Sequence, residues 1–348
     1  MGHPLELRRP NRATGDLVIM SVYMRAFYLT LLASLSAQPV SAAPPGAVPF
    51  GAYDPSGTFE NDAEVSIEHV FLPWEDVSLS SLISADQYAL ERNRALLITV
   101  EPWTWTQDER NTPQALRDAI LSGRYDSNMR EICEVADTLQ SPVSIRWGHE
   151  MEDDDGQFIW AGWAPQDYIA AYRRMVEVCR AAAPRTRFVW SPLGHVNLTE
   201  YYPGADVVDI VGLSIFGFQT FEHDILGREL RYEDLLRERY ARVAPFRKPV
   251  IVAELGYTGN ADYVQAWEDA VRVPHPEMAY LVGVVYFNQQ EVYPWPNGYG
   301  YPDWRVTERV TASPTESKVN ASKSSEAHCT ARLSILISYL TGICTSAQ

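Results

Sequence analysis

The sequence contains few cysteines, only four among 348 residues. They form no Cys-x-x-Cys pair and no cluster with histidine, so no zinc site is indicated. Cys133 and Cys179 lie in two helical patterns, EICEVAD and MVEVCRAAA, whereas Cys329 and Cys344 lie near the C-terminus. An exported protein can join such cysteines in disulfides. Spacing does not show which cysteines pair, and buried thiols explain them equally well.

Basic residues are also in short supply. The 29 Lys and Arg side chains are outnumbered by 45 Asp and Glu side chains, which gives a formal net charge of −16. Residues 1–42 carry a net charge of +2, so the remainder carries −18. Polyphosphates and anionic lipid surfaces repel such an acidic chain. We therefore predict no nucleic-acid partner, and neutral or cationic polymers remain as partners.

The apolar run near the N-terminus is short. Arg25 precedes AFYLTLLASLSA, a run of 12 residues, whereas a membrane-spanning helix needs about 20. Small residues suited to cleavage follow at Val40, Ser41 and Ala42. We predict that residues 1–42 are upstream sequence and a signal peptide, which makes the mature protein secreted or periplasmic, with no membrane partner after cleavage. The alternative is that the run is retained as an N-terminal anchor.

Eight short apolar segments recur along the chain, and helical patterns separate most of them. Most are continuous in Val and Ile, which is typical of strands buried on both faces of a parallel sheet. This alternation predicts an α/β fold, a single (β/α)8 TIM barrel over residues 43–305. An open doubly wound sheet is the rival, but it usually shows a Gly-rich turn after its first strand, and none is present. The predicted strands span residues 48–55, 65–74, 95–103, 141–150, 187–194, 207–218, 248–258 and 280–289.

The sequence changes character after Trp304. The stretch TASPTESKVNASKSSEAHCT is rich in Ser, Thr and Lys and poor in apolar residues. Residues 306–348 are therefore predicted to be a low-complexity, disordered tail. The apolar stretch ARLSILISYLTGIC within it is too short to span a membrane. A docking helix, a poorly ordered tail and an aberrant C-terminus all fit it.

Two glutamates end predicted strands on opposite sides of the barrel mouth. Glu150 closes the fourth strand, in SPVSIRWGHE, and Glu254 closes the seventh, in VIVAELG. The active site of such a barrel lies at the C-terminal ends of its strands. Two opposed carboxylates suit glycoside hydrolysis, in which one protonates the leaving oxygen and the other attacks the anomeric carbon or activates water. The structural alternative is that each glutamate pairs with a nearby arginine or caps a helix.

Five sequence blocks, in order along the chain, resemble glycoside hydrolase family 26. They are Arg-x-x-His-Glu-Met (residues 146–151) with the Trp-rich loop after it, YRRMVEVCR, FVWSP, YYPGADVVDIVGL and KPVIVAELG. The family contains β-mannanases and some β-glucanases and β-xylanases. The resemblance implies that Glu150 is the acid/base and Glu254 the nucleophile of a retaining enzyme, with their carboxyl groups about 5–5.5 Å apart. It also implies that Arg146 and His149 line the site.

The expected protein is therefore a secreted retaining endo-β-glycosidase, similar to a mannan endo-1,4-β-mannosidase. It is expected to act as a monomer on a β-linked polysaccharide, with no metal and no organic cofactor. A β-glucanase or a bacterial exopolysaccharide glycanase of the same family is one alternative. A catalytically weak barrel that binds glycan is another.

The sixth strand departs from the family pattern. Mannanases usually carry Asp and Tyr after the VGL of this strand, and the Tyr hydroxyl bonds the nucleophile. Here VGL is followed by Ser214, Ile215 and Phe216, and a phenyl ring cannot make that hydrogen bond. The departure bears on how Glu254 is positioned and on whether mannan is the substrate.

Side chains near the predicted strand ends are candidates for holding a sugar. Indole rings stack on the apolar faces of sugars, which favours tryptophans in the loops beyond the strands. The predicted substrate-binding residues are Arg146, His149, Trp103, Trp105, Trp160, Phe216, Tyr286 and Trp295.

Four acidic residues, 152–155, follow the acid/base block. Carboxylates in such number can bind a calcium ion, but the spacing shows no calcium-binding loop. We therefore expect a solvated loop that takes no part in the chemistry.

Overall fold

The computed structural model describes residues 48–75, 77–103, 112–153 and 156–311. The predicted signal peptide and most of the predicted tail lie outside these ranges, as do Cys329 and Cys344. Trp105 also lies outside them. Within the described ranges no helix is long and apolar enough to cross a membrane.

Eight parallel strands close into a barrel, in which each strand pairs with the next along the chain and the eighth pairs with the first. The predicted (β/α)8 barrel is thus confirmed, and the open sheet is excluded by the pairing of the first and last strands. All eight predicted strands are present, with trimmed ends. They are β1 (Phe50–Tyr53), β2 (Val65–Pro73), β3 (Ala95–Glu101), β4 (Val143–Trp147), β5 (Arg187–Trp190), β6 (Ile210–Phe218), β7 (Val250–Thr258) and β8 (Leu281–Phe287).

Helices pack around the strands. The continuous helical pattern before β4 forms two helices, because Gly123 adopts a left-handed φ of 83° between them. A π-helical turn at Glu222–Leu226 continues the three-residue helix α5. The helices are α1 (Ser80–Glu91), α2 (Pro113–Leu121), α3 (Asp126–Thr138), α4 (Pro165–Ala182), α5 (Gln219–Phe221), α6 (Tyr232–Val243) and α7 (Ala261–Arg272).

Two helix starts are fixed by capping side chains. The Thr112 hydroxyl accepts a hydrogen bond from the amide of Ala115, and Pro113 occupies the first turn of α2. Asn260 caps α7 in the same way, with its side-chain oxygen 2.9 Å from the amide nitrogen of Tyr263. These caps satisfy amide groups that the helix itself leaves without partners.

The strands are buried on both faces. All nine residues of β7 are buried, because alternate side chains face the barrel interior and the surrounding helices. A small apolar cluster from different strands fills the interior, and a larger one lies between strands and helices. The interior cluster consists of Leu97, Val189, Ile251, Ala253 and Val285. The continuous apolar pattern of the strands follows from this double burial.

Cys133 on α3 and Cys179 on α4 form a disulfide. Both side chains are fully buried, and the bond joins two adjacent outer helices 46 positions apart in sequence. A cross-link over a loop of this length stabilises the folded state by about 4 kcal/mol in the chain-entropy description. Of the two explanations left open by the sequence, the structure has the disulfide.

Contacts with the barrel extend past the predicted domain end at residue 305. The side chain of Arg309 is buried and donates a hydrogen bond to the hydroxyl of Tyr286 at 3.0 Å. The carbonyl of Arg309 accepts a hydrogen bond from the Thr258 hydroxyl at 2.8 Å. The barrel domain therefore includes residues 306–311, which the sequence had assigned to the tail.

Candidate active site

A cleft of about 470 Å³ opens at the C-terminal ends of the strands. It brings together six of the predicted site residues, contributed by several strands and by the loops that follow them. These six are Trp103, His149, Glu150, Phe216, Glu254 and Trp295. The position agrees with the rule that barrels of this kind carry their sites at this end.

Glu254 is held by a buried arginine. Arg146, on β4, is fully inaccessible to solvent, and its Nη1 lies 2.5 Å from Oε1 of Glu254. The Thr99 hydroxyl lies 3.4 Å from the same nitrogen. A charge-assisted hydrogen bond of this length fixes the position of the carboxylate. Arg146 therefore lies beneath the cleft, and the prediction that it contacts a ligand directly is wrong.

Glu150 follows β4 with a left-handed φ of 57°. Such a backbone is uncommon outside glycine and is often associated with functional sites. Its Oε1 accepts a hydrogen bond from the Ser214 hydroxyl on β6 and lies 3.9 Å from Nη2 of Arg146. One guanidinium group therefore lies within ion-pair distance of both predicted catalytic carboxylates.

Burial raises the pKa of Glu150 well above its ordinary value, and the neighbouring charge of Glu254 raises it further. The attraction of Arg146 and the hydrogen bond from Ser214 act in the opposite direction. Glu150 is thus suited to carry a proton near neutral pH.

Two further carboxyl groups face the cleft, and the sequence analysis did not assign them to the site. Burial and the charge of Glu254 raise the pKa of Glu101 to about 7 and that of Glu291 to about 8. Glu101 ends β3, so the strand-end rule that selected Glu150 applies to it too, although it was not chosen as a site residue. Glu291 lies in the loop after β8, where no sequence pattern marks it.

His149 lines the cleft beside Glu150. Burial, with the nearby charge of Arg146, lowers its pKa well below the usual value, so the ring is neutral. Its Nδ1 has no hydrogen-bond partner among the residues that the structure describes. The ring lies edge-on to Phe158 and Phe71. A neutral imidazole in this position can exchange a hydrogen bond with a sugar hydroxyl.

Aromatic side chains form much of the cleft wall. Tyr53 packs against Phe71 and Phe287, with ring centroids 4.7 and 5.1 Å away. Trp103 lies near Tyr293 on another part of the wall, at 5.8 Å. Such rings exclude water and offer apolar faces to a sugar. Tyr53, Phe71 and Phe287 were not among the predicted site residues, because aromatic residues in strands are equally typical of the core.

Two predicted contact residues lie behind the wall. Trp160 is fully buried, and its indole donates a hydrogen bond to the carbonyl of His149 at 2.7 Å. Tyr286 is also fully buried, and its hydroxyl donates to the carbonyl of Trp304 at 2.6 Å. Neither lines the cleft, so the prediction of direct sugar contact is wrong for both. A linear sequence does not distinguish an aromatic ring at the cleft surface from one in the layer behind it.

The acidic stretch after Glu150 is also placed differently from the expectation. Glu152 is buried, and its Oε1 accepts hydrogen bonds from the amides of Gly194 and His195 at 2.8 and 3.3 Å. Asp153 is buried as well, while Asp154 and Asp155 lie outside the described residues. The solvated-loop expectation is therefore wrong for Glu152 and Asp153. Across the described ranges no group of three or more His, Cys, Asp or Glu residues is arranged to hold a metal ion.

The closed barrel and the paired carboxylates of β4 and β7 define the class of fold and site. The sequence profile described as Glycosyl hydrolase family 26 matches residues 99–269, which include both glutamates. The chain belongs to this family.

Sequence relatives include a β-1,3-xylanase from Alcaligenes sp., 29% identical over 112 residues, which amount to 30% of this chain and 23% of the xylanase. A β-1,3-xylanase from Vibrio sp. is 30% identical over 112 residues, with the same coverage. The match thus spans about a quarter of the length of these curated relatives.

Solved structures share the fold. A family 26 β-mannanase from Bacteroides ovatus has a TM-score of 0.53 at 18% identity, over 71% of this chain and 81% of that chain. An endo-β-1,4-mannanase double mutant from Cellulomonas fimi has a TM-score of 0.56 at 14% identity, over 80% and 71%. Likeness at these identities concerns the barrel alone.

Proposed function

We propose that this protein is a retaining endo-β-glycosidase that hydrolyses a β-linked polysaccharide. The observation that carries the proposal is the pair of buried carboxylates, Glu150 and Glu254, joined by one guanidinium group beneath an aromatic cleft. Binding alone does not require two carboxylates held in this way. Membership of glycosyl hydrolase family 26 supports the same conclusion.

In the first step Glu254 attacks the anomeric carbon. Its Oε1 is held by Arg146, which leaves Oε2 as the attacking atom. A bond forms between this oxygen and the anomeric carbon while the glycosidic C–O bond breaks. The proton of Glu150 moves to the departing oxygen, so the leaving group is released as an alcohol.

In the second step water replaces Glu254. The glycosyl-enzyme carries no charge on Glu254, which removes one of the causes that raise the pKa of Glu150. Glu150 is then ionised and accepts a proton from the attacking water. The C–O bond to Glu254 breaks, and the sugar is released with its original anomeric configuration.

Glu254 has a hydrogen-bond partner although position 216 is a phenylalanine. Phe216 lines the cleft and packs against Trp304 and Trp295, while Arg146 supplies the hydrogen bond to Glu254. A tyrosine hydroxyl is therefore not needed to hold the carboxylate in this chain. This contact favours an active enzyme over a catalytically weak glycan-binding barrel.

Two polysaccharides are the first candidates for the substrate. Mannan is the substrate expected from the family resemblance, and β-1,3-xylan is suggested by the activity named for the two sequence relatives. β-Glucan and bacterial exopolysaccharide are the further candidates. The cleft fits a neutral sugar chain because its described lining residues are mostly aromatic and apolar, with hydrogen-bonding groups from Glu101, Gln157 and Gln289.

We also propose that the protein is exported and acts as a monomer. The signal-like segment of residues 1–42 and the disulfide between Cys133 and Cys179 support export, since such bonds persist in oxidising compartments. Mass determination of the N-terminus after secretion from a bacterial host tests cleavage near Ala42. Light scattering of the purified protein tests the monomer.

A panel of polysaccharides tests the activity. Purified enzyme is assayed for new reducing ends on mannan, β-1,3-xylan and mixed-linkage β-glucan, and product masses distinguish endo from exo cleavage. Glu150→Gln and Glu254→Gln are each expected to reduce hydrolysis by at least about 1,000-fold. NMR of the first product shows whether the anomeric configuration is retained. Unchanged hydrolysis in both variants would contradict the proposal.

A further inference from the structure

We propose that Ser214 is a positioning residue for the acid/base: its hydroxyl holds one oxygen of Glu150, so that the proton given to the substrate sits on the other oxygen. The inference rests on the proposed glycosidase function and adds a residue to it. Ser214 stands where mannanases of the family usually carry Asp.

The first observation is that both polar neighbours of the Glu150 carboxyl group contact the same atom. The Ser214 hydroxyl donates a hydrogen bond to Oε1, and Nη2 of Arg146 lies 3.9 Å from that oxygen. The guanidinium cation disfavours a proton on the oxygen that faces it, and while the Ser214 hydroxyl donates to Oε1 the position open to a proton is Oε2. The proton of neutral Glu150 therefore resides on Oε2.

The second observation is that Ser214 is itself held from two directions. Its side chain is fully buried, and the pairing of β6 with β7 shifts register between Leu213 and Ser214, which aligns Ser214 with Glu254. Such an irregularity re-aims a side chain relative to a regular strand. From α6, the buried guanidinium group of Arg239 donates a hydrogen bond to the carbonyl of Ser214.

The path of the Arg239 side chain from α6 to Ser214 depends on a glycine. Gly194 has φ of +107°, and a Cβ at this position would lie 2.7 Å from Cδ of Arg239. Only glycine lets the arginine stem pass at this distance with that backbone. Arg239, Ser214 and Glu150 thus form a line of contacts from the outer helix to the cleft.

A serine has a property here that an ionised aspartate lacks. An ionised aspartate at position 214 would only accept hydrogen bonds and would add a fourth carboxyl group beside those of Glu150, Glu254 and Asp153. The Ser214 hydroxyl can donate to Oε1 both when Glu150 is neutral and when it is ionised. It keeps Oε1 occupied before proton transfer and stabilises the ionised form that later acts as the base.

Leaving-group dependence tests the inference. Two substrates with the same sugar are compared: the polysaccharide cleaved fastest in the panel, whose leaving group needs a proton, and the dinitrophenyl β-glycoside of its repeating sugar, whose leaving group does not. Ser214→Ala is expected to lower kcat/KM at least about 10-fold on the polysaccharide, a part of the 10²–10⁴ that general acid catalysis supplies. On the dinitrophenyl glycoside the expected change in the rate of glycosyl-enzyme formation is less than about twofold.

Two control variants separate positioning from damage to the fold. Ser214→Thr keeps the hydroxyl and is expected to keep the ratio of the two rates. Ser191→Ala removes a buried hydroxyl directly after β5 that has no partner among the described residues, and it is expected to behave as wild type. In the wild type the hydrogen bond from Ser214 lowers the pKa of Glu150. Its loss in Ser214→Ala should therefore raise that pKa and move the basic limb of the kcat/KM profile to higher pH.

The outcomes distinguish the inference from the proposed function. If Glu150→Gln shows the leaving-group dependence and Ser214→Ala loses equal activity on both substrates, or none, the inference alone is wrong. If Glu150→Gln cleaves the polysaccharide as fast as wild type, the proposed function is wrong and the inference with it.

Discussion

Nη1 of Arg146 lies 2.5 Å from Oε1 of Glu254, and both groups are buried at the floor of the cleft. The same guanidinium group reaches toward Glu150 with its other nitrogen. A planar fork that contacts two carboxylates sets their relative position. A change at either glutamate therefore alters the surroundings of the other through the shared guanidinium group.

Arg146→Lys tests this coupling. A single ammonium group cannot contact both carboxylates as the planar fork does, so we expect kcat to fall by on the order of 100-fold, the size of effect that small misplacements produce. Arg146→Met, which leaves Glu254 buried without its cation, is expected to lower stability by about 3–5 kcal/mol. Steady-state kinetics and denaturant unfolding measure the two effects.

The matched control is Arg173→Lys on α4. Arg173 pairs with Asp206 at the surface, and such pairs contribute little to stability. If Arg173→Lys lost as much activity as Arg146→Lys, the loss in Arg146→Lys could not be assigned to the contacts of Arg146 with the two glutamates.

Stability should decrease as the pH rises from about 5 to about 8. The folded-state pKa of Glu291 is about 8, raised above its ordinary value mainly by burial. Between the ordinary pKa of about 4.5 and 8 the folded protein holds a proton that the unfolded chain releases, so the folded state loses stability as the pH rises through this window. Glu291→Gln is expected to flatten the dependence of Tm on pH, as measured by thermal unfolding at several pH values.

Glu131→Gln is the control for this measurement, because Glu131 is exposed on α3. Its curve should parallel that of the wild type. A Glu291→Gln curve that also runs parallel to the wild type would show that Glu291 does not hold a proton in the folded protein.

Reduction of the disulfide between Cys133 and Cys179 should lower stability and spare activity. The loss expected from chain entropy is about 4 kcal/mol, whereas the bond lies between α3 and α4 and neither cysteine lines the cleft. Unfolding in urea with and without reductant measures the loss, and activity at 25 °C is compared under the same conditions. The Cys133→Ala/Cys179→Ala double variant should show the lower stability throughout and no further response to reductant.

Substitution of Trp103 should weaken substrate binding, whereas substitution of Trp160 should lower the stability of the fold. Trp103→Ala removes a ring at the cleft surface and is expected to raise KM about 10-fold, the equivalent of the ~1.5 kcal/mol or more that contact with such a ring contributes. Trp160→Ala removes a fully buried ring and is expected to lower stability by about 3–5 kcal/mol. Kinetics and urea unfolding of both variants give the comparison. Equal effects on KM with no stability loss in Trp160→Ala would contradict the placement of Trp160 behind the wall.

Local patterns were sufficient to predict the barrel and the order of its eight strands, although the predicted strands are longer than the observed ones. A strand buried on both faces must be apolar along its length, so the eight segments are visible without any tertiary information. Glu150 and Glu254 stand out because a carboxylate at the end of such a segment is costly unless it has a partner or a use. The division of helices α2 and α3 at Gly123 was missed, because the apolar periodicity continues across the turn.

Contacts between distant segments decided the rest. Trp103 and Trp160 are both loop tryptophans in the sequence, and only packing assigns one to the cleft surface and the other to the layer behind it. The same holds for Glu152, whose burial depends on the amides of Gly194 and His195 more than 40 positions away.

The sequence by itself determined the class of fold, the family and the two carboxylates, because each of these depends on residue type at a position along one strand. Only the tertiary structure decided that Arg146 lies beneath the cleft between Glu254 and Glu150, and that the Ser214 hydroxyl donates to Glu150. Those relationships depend on distances between β4, β6 and β7, and closure of the barrel is the physical cause that brings these strand ends together.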